Sequence, residues 1–426
     1  MAKPEISAAP TKNPRLRCAD RNLEVPRPPR IDALISSEHR ARVVWEFVDG
    51  LDLSPLHAEI RAVEGEPGSP AIDPKILMAV WLYAILDGET SARRIADFCR
   101  EHSAYIWLCG GVNVNHHTLS DFFVGHEDYL QEQFTLHLAV LMNEGVVDAE
   151  RVAQDGMRIR ASAGAASFRR KETLEECLEE AEKRMEDLRQ ARKENPAKED
   201  KRRRAARERA ARERSERVKE ALKQLPDVEA KKKEKDKTKA RVSTTDPDAR
   251  VMKMGDGGFR PAYNAQLSTD TQTQIIVGVE VVNEGADQGQ LSPMLEQVKE
   301  RIGEFPAEVL VDGGFATKKE IDTVTDAGVD VYAPVPKPKK EERDRHEPMP
   351  GDSEAVADWR KRMGTDEAKE IYRERASTAE CVNAIARNRG LLKFTVRGLP
   401  KVKVALLWFA IAHNVMRAAV LRPNAA

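Results

Sequence analysis

Between residues 169 and 241, 46 of 73 positions are Lys, Arg, Asp or Glu, 27 of them positive and 19 negative. A segment this charged cannot enclose a hydrophobic core of its own. It must be an excursion from a fold built by the residues on either side. Without it the chain is an ordinary, mildly acidic globular protein. At 426 residues and 41% hydrophobic content there is room for two or three domains and a real core. The formal net charge of −1 neither supports nor excludes a nucleic-acid partner; local patches must decide that.

The charged block has an internal pattern. Leu174, Leu178, Ala181, Met185 and Leu188 follow a 4-3-4-3 spacing, and so do Ala211, Ser215, Val218, Leu222 and Leu225. Each set is a short heptad seam. Asn195-Pro196 lies between them and breaks the helix. Two antiparallel helices of roughly 37 Å each, packed as a hairpin, are expected. The seams are thin, so the hairpin is marginal on its own. It reads either as a solvated spacer or as a surface that meets the DNA backbone or a partner subunit. Residues 227–248 read as a mobile return linker.

Upstream, residues 1–30 hold six prolines and read as a flexible arm. Residues 31–147 read as helical. Asp73-Pro74 is an N-cap followed by proline at the first helical position, and Gly88 follows the end. Ile76, Leu77, Val80, Leu82, Tyr83 and Leu86 make that helix a buried one. A shorter segment, Ser91 to Cys99, carries Arg93, Arg94 and Arg100, and another begins at Thr118 with Asp121 three residues on. Short basic helices with tight connections allow a helix-turn-helix-like DNA-binding module; a plain helical bundle has the same pattern.

From about residue 148 strands dominate. Arg151 to Gln154 reads as a short strand ending at Asp155-Gly156. Further strands fall at 261–267, 274–282, 308–311 (ending in Asp312-Gly313-Gly314) and 329–335, with helices at about 288–302 and 316–326. This order implies an α/β domain, a mixed sheet flanked by helices. The five cysteines (Cys18, Cys99, Cys109, Cys177, Cys381) form no CxxC pair, so neither a zinc ribbon nor a disulfide framework is indicated, and reducing cytosol is expected. The N-terminus has no apolar signal core. The longest apolar stretch, Val402 to Val415, is interrupted by His413 and is too short to cross a bilayer; residues 406–415 within it read as a core helix.

Asp155 and Asp312 are the first candidates for chemistry. Carboxylates at the ends of adjacent parallel strands can converge, and such a cluster suits Mg²⁺. Asp-Gly after a strand is equally the signature of a turn. Glu380 is the third candidate. Arg373, Glu380 and Arg387 lie seven apart, nearly on one helical face, with Asn383 beside them; a solvated face reads the same way. Asp256 sits in a Gly-Asp-Gly-Gly hairpin loop and Asp246 in a Thr-Thr-Asp-Pro turn. His116 and His117 lack a partner at metal-ligand spacing and read as loop or cap residues. Arg158 and Arg160 share one side of an extended strand and could reach DNA. Asn264 and Gln266 share a strand face, towards either the site or solvent.

Five ordered blocks carry a resemblance: VAQDGMRIRASAG (152–164), STTDPDARVMKMGDGGFRPAYNAQLSTD (243–270), VVNEGADQGQLSPML (281–295), VLVDGGFAT (309–317) and YRERASTAECVNAIARNRG (372–390). Together with HHTLSDF (116–122), they make the chain resemble a DDE transposase of bacterial insertion sequences over about residues 30–420. The resemblance implies an RNase H-like catalytic domain formed by residues 148–168 and 243–420. Ahead of it would stand an all-α N-terminal domain, and within it an inserted helical hairpin with its linker over 169–242. Asp155, Asp312 and Glu380 would be the catalytic carboxylates and the ligands of two Mg²⁺ ions, with Mn²⁺ able to substitute. Tyr372 and Arg375 match the family's last block, whose lysine position is Arg387 here, a planar fork in place of a point charge.

The implied reaction cuts the element's ends with metal-bound water, and the freed 3′-hydroxyl then attacks target DNA at the same site. Arg375 and Arg387 would hold phosphates, and Tyr372 would stack on a base or pack. Double-stranded DNA at the ends and target, a homodimer on that DNA, and cytoplasmic, nucleoid-associated localisation follow, with no membrane and no small-molecule substrate. Competing readings are a metal-dependent nuclease, a catalytically silent or domesticated relative acting as a DNA-binding regulator, and a coiled-coil scaffold. The scaffold leaves the strand-end acids unexplained.

Overall fold

The computed structural model describes residues 30–62, 70–194, 201–337 and 344–422. The expected arm over 1–30, apart from its last residue, and the Asn195-Pro196 break lie outside the described residues.

Seven helices come first: α1 (Arg40–Asp49), α2 (Ser54–Ala58), α3 (Pro74–Leu86), α4 (Ala92–Glu101), α5 (Ser103–Cys109), α6 (His116–Gly125) and α7 (Glu127–Asn143). α3 starts where the sequence says it should, with the Asp73 carboxylate accepting from the Lys75 amide at 2.8 Å. Every position from Leu77 to Leu86 is buried, so α3 is a core helix on all sides. α6 starts earlier than the expected Thr118. Asn115 caps it, its side-chain oxygen accepting from the amides of His117 and Thr118, both at 3.0 Å. His116 and His117 therefore form the helix's first turn.

The strands follow: β1 (Arg151–Arg160), β2 (Phe168–Arg169), β3 (Val242–Ser243), β4 (Arg250–Lys253), β5 (Phe259–Asp270), β6 (Ile276–Val282), β7 (Glu308–Leu310) and β8 (Asp330–Tyr332); β2 and β3 pair with each other, and the others form the main sheet. β1 is central. It pairs antiparallel with β5 on one side and parallel with β7 on the other, and β8 extends the sheet parallel to β7. The outer edge of β5 pairs with β4 near its start and with β6 further on. Helices α10 (Leu291–Ile302) and α11 (Lys318–Asp326) connect the later strands, followed by α12 (Glu354–Gly364), α13 (Asp366–Arg375), a π-helical turn (Ala376–Glu380), α14 (Cys381–Asn388) and α15 (Leu399–Leu421).

α15 corrects an expectation. At 23 residues it is long and apolar enough to cross a membrane by length and composition, where the sequence suggested too short a stretch. Here it is a core helix. Trp408 on α15 donates its indole N–H to the Phe123 carbonyl at 3.0 Å, and Trp81 on α3 donates to the Leu119 carbonyl at 2.9 Å. The Phe123 and Trp408 rings lie nearly parallel, with centroids 5.9 Å apart. The last helix and the first helices thus share a single core with the sheet. The start of α15 is tied to the sheet by two acids in the segment before β4. Buried Asp246 accepts from the Tyr263 hydroxyl at 2.7 Å and the Gly398 amide at 3.1 Å, and Asp248 accepts from the Leu399 amide at 2.8 Å.

The charged block forms α8 (Lys171–Glu194) and α9 (Lys201–Ala230), packed on each other between β2 and β3. The heptad positions are the ones that face inward: Leu174, Ala181, Ser215, Val218 and Leu225 are buried, and Leu178, Met185, Leu188, Ala211 and Leu222 are half-buried. Arg214 pairs with Glu180 and Lys219 with Glu182 across the two helices. The return segment is not a loose linker. α9 continues through Pro226 to Ala230, β3 pairs with β2, and Ala240 and Val242 are buried against Leu174, Ala221 and Leu225. The lysine-rich composition hid these two anchoring residues.

β1 departs most from its sequence reading. It does not stop at Asp155-Gly156 but runs on to Arg160, so this Asp-Gly is not a turn. Gly156 is there because of what lies above it. A Cβ at this position would meet Asp287 Oδ1 at 2.3 Å and Gln266 Nε2 at 2.6 Å. Asp287, in the loop after β6, accepts from Asn264 (2.7 Å), Gln266 (2.9 Å) and Arg158 (2.8 Å). Asn264 and Gln266 thus face neither the acids nor solvent; they line a buried polar layer on the opposite face of the sheet from Asp155. Gly156→Ala is expected to wedge this layer apart and lower stability by about 2–3 kcal/mol in denaturant unfolding. An unchanged midpoint would show that the layer is loose.

Candidate active site

The sheet register brings the first two acids together. Ala153 on β1 stands opposite Leu310 on β7 in the parallel pair. Asp155 and Asp312 each lie two residues further on, and side chains two apart share a face. The two carboxylates therefore leave the same face of neighbouring strands. Asp312 Oδ1 accepts from the Gly314 amide at 2.6 Å, so the Asp-Gly-Gly sequence is both a turn and the support of a site residue.

The third acid arrives through a helix irregularity. α13, the π-helical turn and α14 run consecutively, and the π turn carries Glu380 at its end. Hydrogen bonds in a π turn link residues five apart, whereas an α-helix turns residues five apart away from each other. Arg375 and Glu380 are five apart and meet: Arg375 Nη1 donates to Glu380 Oε1 at 2.6 Å. The same guanidinium donates through Nη2 to Asp155 Oδ1 at 2.9 Å, and Asn383 Nδ2 donates to Asp155 Oδ2 at 2.8 Å. One arginine thus bridges the first and third acids. Thr378, buried in the π turn, donates its hydroxyl back to the Glu374 carbonyl at 2.8 Å.

Arg373, Glu380 and Arg387 are all exposed, as a solvated face has them, though their sevenfold register is interrupted by the π turn. Because it carries an extra residue, positions before it are rotated relative to those after it. Arg373 is exposed and pairs with Glu370, away from the acids. Arg375 is the arginine turned inward.

The groups in this cluster sense each other's charge. Asp155 is 18% exposed, and its carboxyl is raised above the ordinary range. Burial is the main cause and the Asp312 charge adds to it, while Arg375 and Asn383 pull the other way. Burial alone would lower the Arg375 pKa, but Asp155, Tyr372, Glu380 and Asp312 hold it above its usual value. The half-buried Tyr372 hydroxyl is raised by burial against the pull of Arg375, with Asp312, Glu380 and Asp155 adding to the rise. It is a hydrogen-bond donor at neutral pH.

The donor chemistry suits a hard divalent cation. Asp155 and Glu380 share the Arg375 guanidinium, Asp312 follows the neighbouring strand, and the buried Asn383 Oδ1 has no hydrogen-bond partner. Among the described residues, however, no three His, Cys, Asp or Glu side chains are close enough to close on an ion. The positive charge between Asp155 and Glu380 is that of Arg375, whose Nε is also buried without a partner.

The other candidate residues lie outside this cluster. Arg158 is on the opposite face of β1, donating to Asp287 and to the Gly285 carbonyl, both at 2.8 Å. The side chain is half-buried and engaged by these two partners. Arg160 is exposed at the end of β1. Arg387 is exposed on α14, seven residues after Glu380. Arg93 and Arg94 are exposed on α4, where Arg94 pairs with Glu89 at 2.9 Å and lies over the Phe98 ring. Asp256 pairs with Arg260 in the β4–β5 loop and is not a rival acid of the site. Two residues that matter were not singled out from the sequence. Asp287 is hidden in a loop with no pattern around it, and Asn383 was noted only as a neighbour of Glu380.

Removing the bridging cation should leave a buried carboxylate without its partner. Arg375→Ala is expected to cost about 3 kcal/mol at neutral pH. Much of that should return in the double variant with Asp155→Asn, because the two changes remove one interaction. Additive losses in a double-mutant cycle would mean that the ion pair contributes nothing.

Two family models match the chain. Residues 29–124 match the family model described as Transposase domain (DUF772), and residues 227–415 match the one described as Transposase DDE domain. The second match contains Asp312 and Glu380 and begins downstream of Asp155, from which α8 and most of α9 separate it. No match was found among curated proteins or among solved structures. With a helical transposase domain followed by a DDE domain, the chain belongs to the DDE transposases typical of bacterial insertion sequences.

Proposed function

We propose that this protein is the transposase of its own insertion sequence, cutting DNA at the element's ends and joining the freed 3′-hydroxyl to target DNA. The observation that carries this reading is the Arg375 bridge, which joins Glu380 to Asp155, the latter 220 residues before the arginine. The strand order β6-β5-β1-β7-β8, with only the first β5 pairings antiparallel, supports an RNase H-like sheet as its frame. Residues 148–168 and 243–420 would form that catalytic domain, with 31–147 as the DNA-binding helical domain and 169–242 as an inserted hairpin and linker.

Asp155, Asp312 and Glu380 would hold two Mg²⁺ ions, or Mn²⁺ in their place. Bound there, the ions supply Lewis-acid activation of the nucleophile and charge stabilisation on the leaving oxygen. The chain's own groups do the positioning. Asn383 fixes one Asp155 oxygen and orients the carboxylate. Arg375 neutralises the acids before substrate arrives. Its planar fork can exchange a carboxylate for a phosphate oxygen, and its unpartnered Nε is a further donor. Tyr372 offers a protonated hydroxyl and a ring face to the nucleotide beside the cut. Arg387 and Arg160 at the rim would contact the backbone, while Arg93 and Arg94 on α4 would contact the element's ends. Processing two ends together implies a homodimer on double-stranded DNA, acting in the cytoplasm at the nucleoid.

The test is strand cleavage on a supercoiled plasmid that carries the gene with its native flanks. Wild-type protein with Mg²⁺ or Mn²⁺ is expected to cut at the element's ends and to stop when chelator is added. Asp155→Asn, Asp312→Asn and Glu380→Gln should each lose on the order of 10³-fold or more in cleavage rate while still binding the flanks. Binding without cleavage in all four proteins would instead favour a silent relative that acts as a DNA-binding regulator.

A further inference from the structure

We propose that the distal half of the α8–α9 hairpin is a docking surface for the phosphate backbone of duplex DNA. The inference rests on the reading that this chain acts on DNA. Charge is segregated along the hairpin. Residues 183–194 and 201–214, the distal parts of the two helices, hold 13 Lys and Arg against 5 Asp and Glu. Residues 171–182 and 215–230, the base, hold 4 against 10. A solvated spacer has no need of this separation, whereas a polyanion would be drawn to one end only.

The base is where the hairpin joins the body. Leu174, Ala221 and Leu225 pack with Ala240 and Val242, and Arg250 Nη2 donates to Gln224 Oε1 at 2.8 Å. From there α8 runs 24 residues outward, about 35 Å at 1.5 Å per residue. The distal arginines are exposed: Arg184 on α8, and Arg203, Arg209 and Arg212 on α9. Among the described residues these four make no ion pair. Nearer the base, by contrast, Arg214 and Lys219 are engaged with Glu180 and Glu182 on the opposite helix.

The observations favour DNA over a second copy of the chain. A helical protein interface needs an apolar stripe left over after the hairpin has formed. The apolar positions of both helices are already used in the seam between them. Among the described residues, none of the exposed large hydrophobic side chains lies on α8 or α9. What remains on the outer surface is alanine, acid and an excess of arginine. Such a surface binds a phosphate backbone regardless of sequence, by releasing condensed counterions.

The test uses full-length protein carrying Asp155→Asn, which prevents cleavage during titration, and a fluorescent duplex of arbitrary sequence. Binding is followed by anisotropy across a salt series. Combining Arg184→Gln, Arg203→Gln, Arg209→Gln and Arg212→Gln should make the slope of log affinity against log salt shallower by roughly 3 to 4, with affinity at least about tenfold lower at physiological salt. Lys223→Gln at the exposed base should change neither by more than one contact's share. If the fourfold variant loses helicity, the single charge reversal Arg209→Glu replaces it and should weaken binding in the same direction. Unchanged affinity and slope in a folded variant overturn the inference. So does unchanged DNA binding with a lost dimer in sedimentation, which would assign the surface to a second copy. Wild-type protein that cleaves element ends while the fourfold variant binds as tightly refutes the hairpin surface alone; wild-type protein that binds no duplex refutes the proposed function as well.

Discussion

The site depends on one guanidinium held between two carboxylates. Arg375 is mostly buried, and a buried cation is tolerable only where opposite charge and hydrogen bonds replace water. Asp155 comes from the central strand and Glu380 from the end of a π turn, and Arg375 bonds to both. The π turn serves this contact. A regular α-helix through residues 376–380 would carry Glu380 around the axis and away from Arg375. π turns are uncommon and concentrate at functional sites because they trade regular backbone bonding for the placement of a side chain.

The second constraint is the rigidity of β1. Its two faces have different tasks. Asp155 faces the acids and the C-terminal helices, while Gln154, Gly156 and Arg158 face the layer closed by Asp287. Because side chains alternate along a strand, the register that places Asp155 against Asp312 also fixes this polar layer on the reverse side. α15 then locks the sheet to the first helices through Trp408, and Asp246 and Asp248 hold the start of that helix. The carboxylates are thus carried on elements braced from both sides, which is what a site needing sub-ångström placement demands.

Much of this was legible in the sequence where periodicity or cap chemistry is strong. The two heptad seams give the inward faces of α8 and α9, and Asp73-Pro74 gives the start of α3. The hydrophobic runs locate β5, β6, β7 and β8 to within a few residues and miss β4. What stayed hidden has physical causes. Asp155-Gly156 imitates a turn because nothing local reveals that Asp287, more than a hundred residues on, fills the space of a side chain. The π turn cannot be read from spacing, so the spacing of Arg373, Glu380 and Arg387 did not show that Arg375 is the arginine turned inward. Ala240 and Val242 were masked by the lysines around them. The three acids were paired with one another by family resemblance, since each alone has an ordinary turn or surface reading.

We propose that acids from three distant segments form one cation-binding centre. The most direct test is Mn²⁺ binding to the full chain on duplex DNA, followed by electron paramagnetic resonance. Wild-type protein should bind Mn²⁺ at a tight site, and Asp155→Asn and Glu380→Gln should each abolish it although the two residues lie on different elements. Tight Mn²⁺ binding that survives both substitutions would contradict the claim and place the cation elsewhere.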